Sequence, residues 1–121
     1  MLEIIANLPD RVLGVRASGW VGADDYATVL TPAVEAAIAR HGKLRVPYRI
    51  GAYFHGFTPG ATWDDMRLGW SHLHAWERVA VVTDNAWIAG TLRLLLFALP
   101  VPAKLFALAE SALARDWLLS D

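Results

Sequence analysis

No cysteine occurs among the 121 residues. That excludes a disulfide scaffold, a thiolate zinc site and cysteine nucleophile chemistry. An excess of one charge is missing too: 11 basic and 12 acidic residues leave a net charge of −1, with no run of either sign. Neither a nucleic-acid footprint nor a polybasic membrane anchor is expected. The N-terminus lacks the basic region and cleavage site of a signal peptide. The longest apolar run, Ala86 to Ala103, contains Arg93 and two prolines. A transmembrane helix needs ~20 apolar residues, and Pro100 stops this one. The expectation is a cytoplasmic chain, with peripheral attachment to the inner membrane face left open.

What is present is apolar. The hydrophobic fraction of 55% and mean hydropathy of +0.33 exceed the roughly 45–50% usual for soluble domains. The length fits one domain, residues 1–121, with a single sizeable core. Six tryptophans are many for such a chain, and most are expected in that core.

The chain is organised around Arg78-Val79-Ala80-Val81-Val82-Thr83-Asp84. Its near-unbroken apolar character reads as a strand buried on both faces, at the centre of a parallel or mixed sheet. Asp84 is expected to cap the helix that follows, and Pro100 to end it. Before it, Leu2–Ala6 and Val12–Ala17 flank Pro9-Asp10, a favoured pair for the middle of a type I turn, and read as an antiparallel hairpin. Helix one begins near Asp24-Asp25 and ends at His41-Gly42. Tyr26, Leu30, Val34 and Ala37 form its core stripe, and Pro32 should kink it unless the first turn is separate. In Leu44–Ile50 apolar residues alternate with Arg45, Pro47 and Arg49, which argues for an edge strand or a bulge.

Gly51–Gly60 reads as an aromatic loop carrying Tyr53, Phe54, His55 and Phe57. Helix two runs from about Thr62 to Trp76, with Thr62 as cap and Trp63, Met66, Trp70 and Leu73 as buried stripe. Lys104–Ala107 is a short last strand. Glu110–Leu119 is a last helix anchored by Leu113 and Trp117. The expected order is ββαβαβαβα, an α/β domain with a five-strand mixed sheet and about four helices.

Several short motifs in order carry a family resemblance: Leu8-Pro9-Asp10, Ser18-Gly19 followed by Asp25-Tyr26, and Pro32-Ala33-Val34-Glu35. They continue with Phe54-x-Gly56, Trp63-x-Asp65, Trp76-Glu77-Arg78 and Ala80-Val81-Val82-Thr83-Asp84-x-x-Trp87. Through these the chain resembles the SpoIIAA-like proteins, a branch of the STAS-domain superfamily, over essentially its full length. The resemblance implies a STAS-like, non-enzymatic module with a proposed role in membrane association or apolar-ligand binding. The sporulation anti-sigma-factor antagonists carry a phosphorylatable serine between the third strand and second helix. Here Gly51–Gly60 contains no serine, so the phospho-switch is not carried over. Thr58 and Thr62 are the nearest hydroxyls apart from tyrosine.

Catalytic and metal chemistry find little support. His72 and His74 point about 200° apart on a helix and cannot share a metal. His41 suits a helix C-terminus, which leaves His55 as the one histidine to test. Asp24-Asp25 and Asp64-Asp65 open helices, where capping already explains them. Ser18, Ser71, Ser111 and Ser120 lack a nucleophile elbow, and the glycines form no phosphate loop. No catalytic residue, metal or cofactor is expected.

Binding is the sharper reading. Arg45 and Arg49 share one strand face about 13 Å apart; they either guard an edge strand or make an anionic head-group or partner contact. On helix three, Ile88, Leu92, Leu95 and Leu99 make an ordinary core stripe within roughly 60°. Trp87 and Leu94 lie about 20° apart on a second stripe, with Phe97 and Arg93 further round. Left uncovered, this stripe marks a membrane, a partner or a ligand groove. The candidate site is therefore Trp87, Arg93, Leu94 and Phe97, joined by Tyr53, Phe54 and Phe57 of the aromatic segment and by Arg49. The expected partner is a lipid or hydrophobic small molecule, or a membrane surface. The alternative is a protein–protein or regulatory module, such as a homodimer, using the same patch.

Overall fold

The computed structural model describes residues 1–5, 8–60, 67, 71–90, 93 and 102–120. Five strands, β1 (Leu2–Ile5), β2 (Gly14–Val21), β3 (Leu44–Phe57), β4 (Trp76–Thr83) and β5 (Ala103–Phe106), lie in the spatial order β1-β2-β3-β4-β5. β1 runs antiparallel to β2, and β2 through β5 are mutually parallel. The mixed five-strand α/β sheet is the expected one, with the strands in the expected sequence. Among the described residues the delimited helices are α1 (Ala23–Asp25), α2 (Thr31–His41) and α3 (Ser111–Leu119), against the four or so expected. Thr62, Trp63, Met66 and Trp70 of helix two, and Leu92, Leu94, Leu95, Phe97 and Leu99 of helix three, lie outside the described residues.

The hairpin forms, with Leu2 opposite Ala17 and Ile5 opposite Gly14. Its turn is displaced by one residue. Val12 N–H donates to Pro9 O at 3.1 Å, so Asp10 and Arg11 occupy the middle, and Arg11 takes a φ of 69°.

Between β2 and β3 the chain is helical from Ala23 to His41, with a π-helical turn, Tyr26–Leu30, joining α1 to α2. The Thr31 N–H reaches back to Tyr26 O. This wider register sits just before Pro32, the residue whose missing N–H would break an α ladder, and takes the place of the expected kink. Tyr26, Leu30 and Val34 are buried as the stripe required. Gly42 N–H closes the helix onto Ile38 O.

The largest correction concerns β3. It is not an edge, although the alternative of a bulge is met by a register shift against β4 between Leu44 and Arg45: it is the middle strand and runs past Ile50 to Phe57 through the supposed aromatic loop. Pro47 is tolerated there for a backbone reason. Arg45 N–H donates to Arg11 O and Arg45 O accepts from Leu13 N–H, so position 45, and by alternation position 47, faces β2. The β2 ladder is interrupted there, between the isolated Val12–Arg45 bridge and the Val15–Tyr48 pair. The extension past Ile50 follows β2 through two register shifts around Gly19, whose φ of 56° favours glycine. β4, expected at the centre, is the fourth strand of five.

The two faces of the sheet are unequal. The main core joins Val15, Ala17, Val46, Ile50 and Val81 to Tyr26, Leu30 and Val34 of the helical segment. On the opposite face α3 lays Ala114 and Leu118 over Ala80 and Val82. The expected anchor is therefore rotated: Leu113 is 58% exposed and Trp117 half-buried.

Candidate functional site

The site grows from the end of β4. Thr83 is buried, and its Oγ1 accepts the Asn85 N–H at 3.1 Å. Asn85 Oδ1 then accepts the N–H groups of Trp87 and Ile88 at 3.0 and 3.2 Å. Asn85, not Asp84, is thus the N-cap of the helical residues 86–90. Asp84 is used across the chain instead, where its Oδ1 accepts the Leu108 N–H at 2.8 Å. This cap sets the helix rotation. Ile88 enters the main core, and Trp87, about 100° away, stands 83% exposed.

A cleft of about 290 Å³ lies at the carboxyl ends of β4 and β5, with Ala89 of this helix on its wall. In open α/β sheets ligands bind in the crevice outside the carboxyl ends of the strands. Ala89, Leu105 and Phe106 supply apolar wall, Thr83 and Asp84 the polar floor, and Arg93 a cation. Glu110, also on the wall, spends one carboxylate oxygen on the Ala107 N–H at 2.8 Å. Asp84 is similarly engaged, and the two carboxylates share the cleft with the Arg93 cation. At about 290 Å³ the cleft lies just below the roughly 300–1,000 Å³ typical of ligand pockets.

The other candidate residues are not gathered here. Leu94 and Phe97 lie outside the described residues. Phe54 and Phe57 touch each other with ring centroids 4.9 Å apart and pack against the main core. Tyr53, 84% exposed, and Arg49 lie on the opposite face of the sheet, as alternation from the buried Ile50 requires. Arg45 has a structural task. Its Nε meets Glu77 Oε1 at 2.5 Å, and its guanidinium donates to the carbonyls of Leu118 and Ser120 at 2.7 Å each. The Arg45 guanidinium hydrogen-bonded to Glu77 holds that carboxyl below its ordinary value. Arg78 joins it, donating to Trp117 O and Ser120 Oγ. Asp25 caps as expected, accepting the Gly22 N–H at 2.8 Å. His55 stacks on Trp20 with centroids 6.2 Å apart. Among the described residues no helix is long and apolar enough to cross a membrane.

The cleft residues Leu105, Phe106 and Glu110, and the exposed Trp20, were missed by sequence reasoning. The cleft becomes visible only once β5 is placed beside β4. Trp20 could have been found from the alternation that buries Val21.

Residues 12–119 match the SpoIIAA-like family profile. The chain is similar in structure to an uncharacterised protein with a SpoIIAA-like fold from Shewanella loihica PV-4, with a TM-score of 0.76 and 27% sequence identity. That match covers 98% of this chain and 92% of the other. No curated protein matches. With the profile spanning β2 through α3, the chain belongs to the SpoIIAA-like family.

Proposed function

We propose that this protein is a non-enzymatic binding module that meets apolar matter, a lipid surface or an amphipathic small molecule, through the helix that begins at residue 86. The fold supports the coarser statement, a regulatory or interaction module. The observation that carries the finer one is Trp87, 83% exposed on the helix whose Ala89 lines a cleft with Arg93. An indole has an apolar body and a polar N–H, which suits it to the boundary between water and lipid. Burying such a side chain contributes roughly 3–5 kcal/mol before ordering costs. That alone is weak, reversible attachment, near millimolar. Leu94 and Phe97, further along the sequence, would add apolar area, and Arg93 would meet a carboxylate or phosphate head.

Vesicle co-sedimentation tests the proposal. Wild type should pellet with liposomes, and a folded Trp87→Ser/Leu94→Ser/Phe97→Ser variant should stay in the supernatant. Wild type remaining in the supernatant as well would remove the membrane reading.

A further inference from the structure

The face of the sheet that α3 covers over β4 and β5 is bare, among the described residues, over β2 and the far half of β3. Five arginines and lysines of the strands lie on this face beside α3 or beyond it, and they fall into two groups. Arg45 and Arg78 cap the C-terminal end of α3, and Lys104, like Arg78, lies against the Trp117 ring. Arg16 and Arg49 do none of this. They are direct partners in the β2–β3 register, about 4.8 Å apart at Cα, and neither is in an ion pair or side-chain hydrogen bond among the described residues. Glu3 stands opposite Arg16 on β1 without pairing to it. Like charges directly opposite destabilise a sheet.

The ground around this pair is open and aromatic. A side chain built at Gly51 would meet nothing within 4 Å. Tyr53 follows on the same face, and Trp20, 65% exposed, lies over Gly56 and against His55. Trp, Tyr and Arg are the residues enriched at the energetic centres of protein interfaces. Charge selects the occupant. A two-fold contact with a second copy would set Arg16 and Arg49 against the same pair. Recognition of anionic lipid draws on clusters of roughly 4–8 Lys/Arg, and this face offers two that are not engaged with α3. A guanidinium fork matches a carboxylate bidentately.

We propose that Arg16 and Arg49, with Trp20 and Tyr53, form a docking surface for an acidic segment of another protein. It is independent of the lipid-facing helix.

Fluorescence anisotropy tests it with two labelled peptides, one alternating glutamate and leucine, the other glutamine and leucine. Wild type should bind the glutamate peptide about tenfold more tightly, a difference of about 1.4 kcal/mol, and added salt should weaken it. Arg16→Gln/Arg49→Gln should erase the preference, whereas Arg115→Gln on α3 should keep it. The double variant should melt no lower than wild type, since it relieves a repulsion. Equal affinity for the two peptides would overturn the proposal. So would a lowered thermal midpoint, which would make the arginines structural. Arginine-dependent pelleting with phosphatidylglycerol vesicles, or an arginine-dependent dimer, would give the face to a membrane or to a second copy instead.

Discussion

Two adjacent side chains at the end of β4 divide work that local reasoning gives to one. Asp84 was the expected cap, but Asn85 holds the Trp87 and Ile88 amides while Asp84 holds Leu108. Asn85→Ala should therefore cost about 1 kcal/mol and speed amide exchange at Trp87 and Ile88; Asp84→Ala should leave those two amides protected. Deprotection by the aspartate variant alone would reverse the assignment. Glu77 gives a pH signature. Its carboxyl is lowered from the ordinary 4.5, first by the Arg45 hydrogen bond, against a smaller opposing effect of burial. A folded-state value below the unfolded one contributes stability above pH ~4.5 that is lost as pH falls through the folded value. Glu77→Gln should flatten that part of the acid limb in urea melts taken between pH 6 and pH 3, the range bracketing ordinary carboxylates at about 4. An unchanged limb would show that the pair is too solvated to matter.

The elements show which patterns a sequence displays openly. The Tyr26, Leu30, Val34 stripe was legible because one helical face meets one core. α3 was not, because Leu113 and Trp117 have the same i, i+4 spacing as Ala114 and Leu118, and bulk favoured the wrong pair. Leu118→Ala should cost about 2–5 kcal/mol, and Leu113→Ala within about 0.5 kcal/mol, by denaturant unfolding. A larger loss at Leu113 would mean the helix is rotated. β3 hid for a different reason. Glycines and a proline signal turns when read locally, and only pairing with β2 turns Gly51–Phe57 into strand. Gly56 has a φ of 155°, and an added Cβ would sit 2.9 Å from Trp20 Cζ3. Gly56→Ala should therefore destabilise by about 1–3 kcal/mol, read as a lowered urea midpoint.

At the scale of the whole molecule, the succession of strands along the chain and the mixed sheet were readable from hydrophobic pattern and turn residues, and family membership from ordered motifs, whereas the places of β3 and β4 in the sheet were not. The site was readable in its parts and not in its assembly. Trp87 stands about 100° from the core residue Ile88, off the core stripe, and is 83% exposed. Arg45, a candidate anion contact by spacing, is taken by the end of α3, 73 residues away, a contact no local pattern reveals. Arg49 and Tyr53 belong to the other face of the sheet from the Trp87 helix, so one predicted surface separates into two. The central claim is that the helix beginning at residue 86 enters a lipid boundary. The absence of cysteine makes a single spin label at Gly90→Cys unambiguous, and the glycine has open space around it. Position 90 lies about 60° round the helix from Trp87. On adding vesicles, oxygen accessibility at the label should rise and that of a nickel chelate should fall, while a label at Arg115→Cys stays water-exposed. Unchanged accessibility at position 90, with wild-type fold and vesicles in excess, would contradict the lipid-binding account.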